Sequence, residues 1–64
     1  MEQLKIKIKE QRIKAGITQK NLAERLNVQQ STVSMWETGQ AAPATKRLGE
    51  IASALGCGIV DLLA

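Results

Sequence analysis

Residues that break or turn a backbone recur at short intervals along this chain: Gly16, Asn27, the stretch Gly39-Gln40-Ala41-Ala42-Pro43, and Gly56-Cys57-Gly58. Glycine, and to a lesser degree asparagine, accepts the left-handed backbone region, and proline disfavours helix in the residue before it. These marks divide 64 residues into five short apolar-patterned segments. A chain of this size forms one small domain, 1–64, with a thin core; about 60% of its surface is buried on folding.

The segments read as helices. The first spans about 2–15. Leu4, Ile6 and Ile8 alternate with lysines there, which locally suggests a strand. The helix formers Glu2-Gln3-Leu4-Lys5 and Lys9-Glu10-Gln11-Arg12 argue for helix, and Gly16 suits the position just past its end. Leu4, Ile8 and Ala15 then share a face, with Ile6 and Ile13 on the other side. The second helix, 19–26, is capped by Thr18, buries Leu22, Ala23 and Leu26, and ends at Asn27. The third, 30–38, turns Val33 and Trp36 inward and closes at Gly39. The fourth, 45–55, has Leu48, Ile51, Ala52 and Leu55 as its apolar face. Its Gly49 costs roughly 1 kcal/mol relative to alanine. The fifth is a short turn over 59–63. The fold class is therefore all-α, with five helices and short connections.

Composition narrows the chemistry. His is absent, and the six acids lack ligand spacing, so no metal site is expected. A single cysteine, Cys57, excludes an internal disulfide and suggests a reducing, cytoplasmic setting. Cys57 itself reads as a small buried residue near a turn. Lysines interrupt every short apolar run near Met1, so no secretory signal is expected, and no run approaches the roughly 20 apolar residues that span a bilayer. Without a Cys–His pair, a phosphate loop or paired carboxylates, no enzyme, cofactor or small-molecule substrate is expected. The net charge is +3, and all nine Lys and Arg residues lie at or before Arg47. Residues 48–64 carry only Glu50 and Asp61. A basic front with an acidic tail fits a protein that turns one face to a polyanion. The Lys5-Lys7-Lys9 run reads as a solvated helix face.

The stretch from Gln19 to Gly39 carries the function. Two helices that cross steeply need a small residue at their closest approach, and Ala23 supplies it. The tight turn between them needs a residue that tolerates positive φ, and Asn27 supplies that. Val28, Val33 and Trp36 pin the second helix to the first. Gln29, Gln30, Ser31, Thr32, Ser34 and Met35 are left outside the buried stripe. That surface is short, hydrogen-bonding and uncharged. Base edges in a major groove present donors and acceptors that match it: Gln bonds bidentately to adenine, Ser and Thr bond either class, and Met can touch a thymine methyl.

With Arg12, the Gln19–Trp36 motif, Trp36-Glu37-x-Gly39, Pro43, Ile51-Ala52-x-Ala54-Leu55-Gly56 and Asp61-Leu62-Leu63 in place, where x is any residue, the chain resembles the lambda-repressor-like helix-turn-helix family. That family includes small phage Cro proteins and phage-repressor DNA-binding domains. The resemblance covers essentially the whole chain. It implies a compact five-helix domain with the helix-turn-helix at helices two and three. Gln29, Gln30, Ser31 and Met35 are then the base-contacting residues. Thr18, Gln19, Thr32, Ser34, Thr38, Gln40, Lys46 and Arg47 are the backbone-contacting residues, with Gln19 also bracing the recognition helix. Arg12 and Glu37 match a buried ion pair. Asn27 stands where the family usually has Gly, Gln29 where a Ser or Thr cap is common, and Ala44 where another cap is frequent, with Thr45 as the expected substitute.

These expectations describe a sequence-specific transcriptional regulator, a repressor of Cro type. Its partner is double-stranded DNA with a palindromic or pseudo-palindromic operator, which it occupies as a homodimer, without a membrane or cofactor. A lone domain reads one half-site, and two half-sites lie about 34 Å apart. Ile59, Leu62 and Leu63 serve either the core or a two-fold interface. The competing class is an antitoxin or partner-binding module, motivated by an exposed Ile6 and the apolar end of the chain.

Overall fold

In a computed structural model that describes residues 6–63, five helices follow one another without a strand among the described residues. They are α1 (Ile8–Lys14), α2 (Gln19–Leu26), α3 (Gln30–Thr38), α4 (Thr45–Leu55) and α5 (Ile59–Leu63). Helix α2 packs against α3 and α4, α5 packs against α4 and α1, and α1 also leans on α3.

Local chemistry explains the boundaries of α2. Thr18 Oγ1 accepts from the Asn21 amide at 3.0 Å, which satisfies one of the donors a helix start leaves free. At the other end Asn27 sits at φ 58, and the Asn27 and Val28 amides fold back to the Glu24 and Ala23 carbonyls. Gly39 and Gly56 end α3 and α4 in the same left-handed region, at φ 85 and 71. The starts of α3 and α4 are different. Gln29 and Ala44 occupy their N-cap positions and neither makes a side-chain cap bond. Thr45, expected as the substitute cap for α4, is already its first helical residue. A residue inside the first turn cannot fold its hydroxyl back as an N-cap does.

The first helix is shorter than the sequence suggests. It begins at Ile8, while Ile6 and Lys7 are not helical; the expected start at residue 2 and Leu4 lie outside the described residues. The Lys7 amide donates to the Leu62 carbonyl at 2.7 Å, so this backbone is bound to α5 rather than coiled into α1. Ile6, expected on an exposed side, is half-buried and packs on the core. Ala15, expected on the buried face, is the exposed C-cap of α1.

The core comprises Ile8, Leu22, Ala23, Leu26, Val33, Trp36, Ile51, Ala52, Leu55 and Leu62. Each fully buried aliphatic side chain among them contributes roughly 1.5–3 kcal/mol of transfer free energy. Leu62 belongs wholly to this core, whereas Ile59, Val60 and Leu63 leave an apolar face of α5 in solvent. Leu48 is half-buried at the edge of the α4 stripe.

Candidate nucleic-acid interface

Helix α3 is held from one side and bare on the other. Val33 is fully buried and Trp36, one turn later, is 8% exposed, and together they fix the inner face. Ser31, Met35 and Thr38 follow at i, i+4 and i+7, which aligns them on the outer face, with Ser34 beside them. Gln29, Gln30, Ser31 and Thr38 are exposed, and Thr32, Ser34 and Met35 are half-buried. None of these side chains carries a charge. An ordinary solvated helix face would carry lysine and glutamate.

The far end of α3 is anchored by a charged network. Arg12 Nε donates to Glu37 Oε2 at 2.6 Å and Nη2 to Oε1 at 3.3 Å, a two-point contact. Arg12 Nη1 donates to the Ile17 carbonyl at 2.9 Å, tying the α1–α2 connection into the same cluster. Gln19 Nε2 completes it by donating to Glu37 Oε1 at 2.9 Å. The side chains are 13% and 4% exposed for Arg12 and Glu37. Burial pushes the Glu37 carboxyl up, but the hydrogen bonds from Arg12 and Gln19 and the charge of Arg12 outweigh it and hold the carboxyl below its ordinary value. Gln19 thus braces α3 from its half-buried place at the start of α2.

The remaining expected contact residues are spread around this helix. Thr18 caps α2. Thr38 Oγ1 donates to the Met35 carbonyl at 3.3 Å, and the Ala41 amide reaches the same carbonyl at 3.3 Å, which closes the end of α3. Gln40 is exposed in the following loop. Ser31 Oγ donates to Gln29 Oε1 at 3.5 Å, at the weak limit of a hydrogen bond. Lys46 is exposed on the first turn of α4. Its neighbour Arg47 is engaged, with Nη1 donating to the Leu26 carbonyl at 3.0 Å and to Glu50 Oε1 at 2.9 Å. Sequence reasoning missed this contact, because its acceptor is a backbone carbonyl on another helix.

Other chemistry is not assembled. Among the described residues no group of three or more His, Cys, Asp or Glu side chains could hold a metal ion. Burial, with the charge of Asp61 second, raises the Cys57 thiol above its ordinary value, which keeps it from acting as a thiolate. Among the described residues no helix is long and apolar enough to cross a membrane.

A tight helical pair whose second member is braced at one end and presents an uncharged polar row has the form of a helix-turn-helix module. A helix-turn-helix family profile matches residues 8–62, and the chain belongs to that lambda-repressor-like helix-turn-helix family. It is a DNA-binding transcription regulator, and its partner is double-stranded DNA. No individual curated protein matches it.

Proposed function

We propose that the protein is a repressor of Cro type that works in the bacterial cytoplasm by occupying an operator as a homodimer. The observation that supports this most is the outer row of α3, uncharged from Gln29 to Thr38 except for the inward-turned Glu37. Gln29, Gln30, Ser31 and Met35 read base edges in the major groove. Thr18, Gln19, Thr32, Ser34, Thr38 and Gln40 flank them along the sugar-phosphate backbone, where contacts set register without reading sequence. Lys46 adds an exposed cation, without an ion-pair partner among the described residues, at the start of α4, where the amides have no side-chain cap and the helix dipole favours an anion.

The homodimer draws on α5. Ile59, Val60 and Leu63 are 44%, 75% and 37% exposed, so one protomer leaves apolar surface that a second copy can cover. A partner-binding module has less support, because Ile6 is engaged with the protein's own core.

Selection of bound duplexes from a random pool tests the reading. The expected result is an enriched palindrome whose half-site centres lie about one or more helical turns, roughly 34 Å each, apart. Enrichment of a single unpaired half-site would refute the homodimer, and no enrichment would refute sequence-specific operator occupancy.

A further inference from the structure

Arg47 stands next to Lys46 on α4, and position alone marks it as a second cation for phosphate. Its geometry points elsewhere. The acceptor at 3.0 Å is the carbonyl of Leu26, the last residue of α2. Carbonyls in the last turn of a helix have no partner within it. Here the Ala23 and Glu24 carbonyls are taken by the Val28 and Asn27 amides as the chain turns, and the Leu26 carbonyl is met by a side chain instead. The guanidinium therefore closes α2 immediately before the turn from which α3 departs. Its positive charge faces the negative end of the α2 dipole, and Glu50 at 2.9 Å balances the rest.

A second arginine makes the reciprocal contact. Arg25, in the last turn of α2, donates from Nε to Asn21 Oδ1 at 2.8 Å and from Nη1 to the Ala54 carbonyl at 3.2 Å. Ala54 lies in the last turn of α4. Each helix of the pair thus sends a guanidinium to the final turn of the other. Both acceptors hold Nη1, so the guanidinium is fixed against the part-buried Leu26 carbonyl and Glu50, and any phosphate contact would have to be made by Nη2 or Nε from that fixed position.

We propose that Arg47 is a positioning residue for the recognition helix, pinning the end of α2 at the α2–α3 turn, and not a phosphate ligand. This rests on the reading of α3 as the base-reading element. Its effect on DNA passes through the orientation of α3, so it governs discrimination between sequences. A phosphate ligand would govern the common electrostatic part of all binding.

The test compares Arg47→Met with Lys46→Met on the selected duplex and on random duplex across a salt series. For Arg47→Met the preference for the selected duplex should fall about tenfold, as for one lost charge-assisted hydrogen bond, with the salt slope unchanged. In the DNA-free protein the amide signal of Asn27, which shares a peptide unit with the Leu26 carbonyl, should shift. Equal weakening on both duplexes, with the slope shallower by about 0.9 as for one phosphate, would overturn the proposal. An unmoved Asn27 signal would overturn it as well. If Arg47→Met does not fold, the unmodified protein decides: the Arg47 Nε–H signal should stay in place when random duplex is added at low salt, and a shift counts against the proposal. If the unmodified protein prefers no duplex, the base-reading assignment fails, and the Asn27 signal of free Arg47→Met still decides whether Arg47 pins the turn.

Discussion

Replacing Arg12 with methionine isolates the charged anchor of α3. Glu37 would keep its hydrogen bond from Gln19 at 2.9 Å and lose both contacts from the guanidinium. Its side chain is 4% exposed, so water cannot replace them without opening the structure. Removing one partner of a buried pair costs about 3–5 kcal/mol, because a charge is left without compensation. A 64-residue domain has roughly 3–10 kcal/mol in total at 0.05–0.15 kcal/mol per residue. At pH 7 the variant should therefore lie near the edge of folding. The pH dependence makes the prediction sharper. In the unmodified protein the Glu37 carboxyl lies below its ordinary value of 4.5, so its contribution is full above that value and is lost as pH falls through the folded-state value. Without Arg12, both its hydrogen bonds and its charge are gone, and burial pushes the carboxyl up from where it stands in the unmodified protein. The variant then gains relative stability as pH falls and Glu37 takes up a proton. Urea unfolding at pH 7 and pH 4, followed by fluorescence of the single tryptophan, Trp36, measures both. The deficit should shrink at the lower pH. A deficit under about 1 kcal/mol at pH 7, the range of an exposed pair, would refute the reasoning, as would a deficit that grows on acidification.

Gln30→Ala should cost roughly 1–3 kcal/mol and relax selectivity at one base pair, measured by binding to single-substitution operators. Lys46→Met should weaken binding to every duplex alike and flatten the salt slope by about 0.9. Val60→Glu with Leu63→Glu should leave the fold intact, since both side chains are exposed, and abolish the proposed α5-mediated dimer in sedimentation on selected duplex; dimerisation that persists would refute the α5 interface. Gly49→Ala should stabilise the protein by about 0.5–1 kcal/mol in thermal unfolding, because its added methyl meets nothing nearer than Ile59 Cδ1 at 3.9 Å.

Helices α2 to α4 are legible in the sequence because their ends carry local chemistry. Thr18, Asn27, Gly39 and Gly56 act on the backbone within a few residues, so sequence alone shows where each stops. The start of α1 is not. The alternation of Leu4, Ile6 and Ile8 with lysines suggests a strand, while the helix formers on either side favour a helix from residue 2. The Lys7 backbone instead meets Leu62, a partner far along the chain. The same limit hid the arginine clamps. Arg25 and Arg47 look like surface cations in sequence, and their acceptors are carbonyls 29 and 21 residues away. The uncharged row on α3 was visible early, because spacing and residue type are enough to reveal it. How firmly that row is held depends on Arg12, Gln19 and Glu37 meeting in space.

The contact between Lys7 and Leu62 also bears on synthesis. Ile8 and Leu62, near opposite ends of the sequence, are both fully shielded from water. A growing polypeptide can coil α2 and α3 soon after they emerge from the ribosome, but the hydrophobic interior stays open on one side until residue 62 arrives. Any product terminated before that point exposes Ile8 and its neighbours, which makes it a target for proteolysis before it can bind DNA.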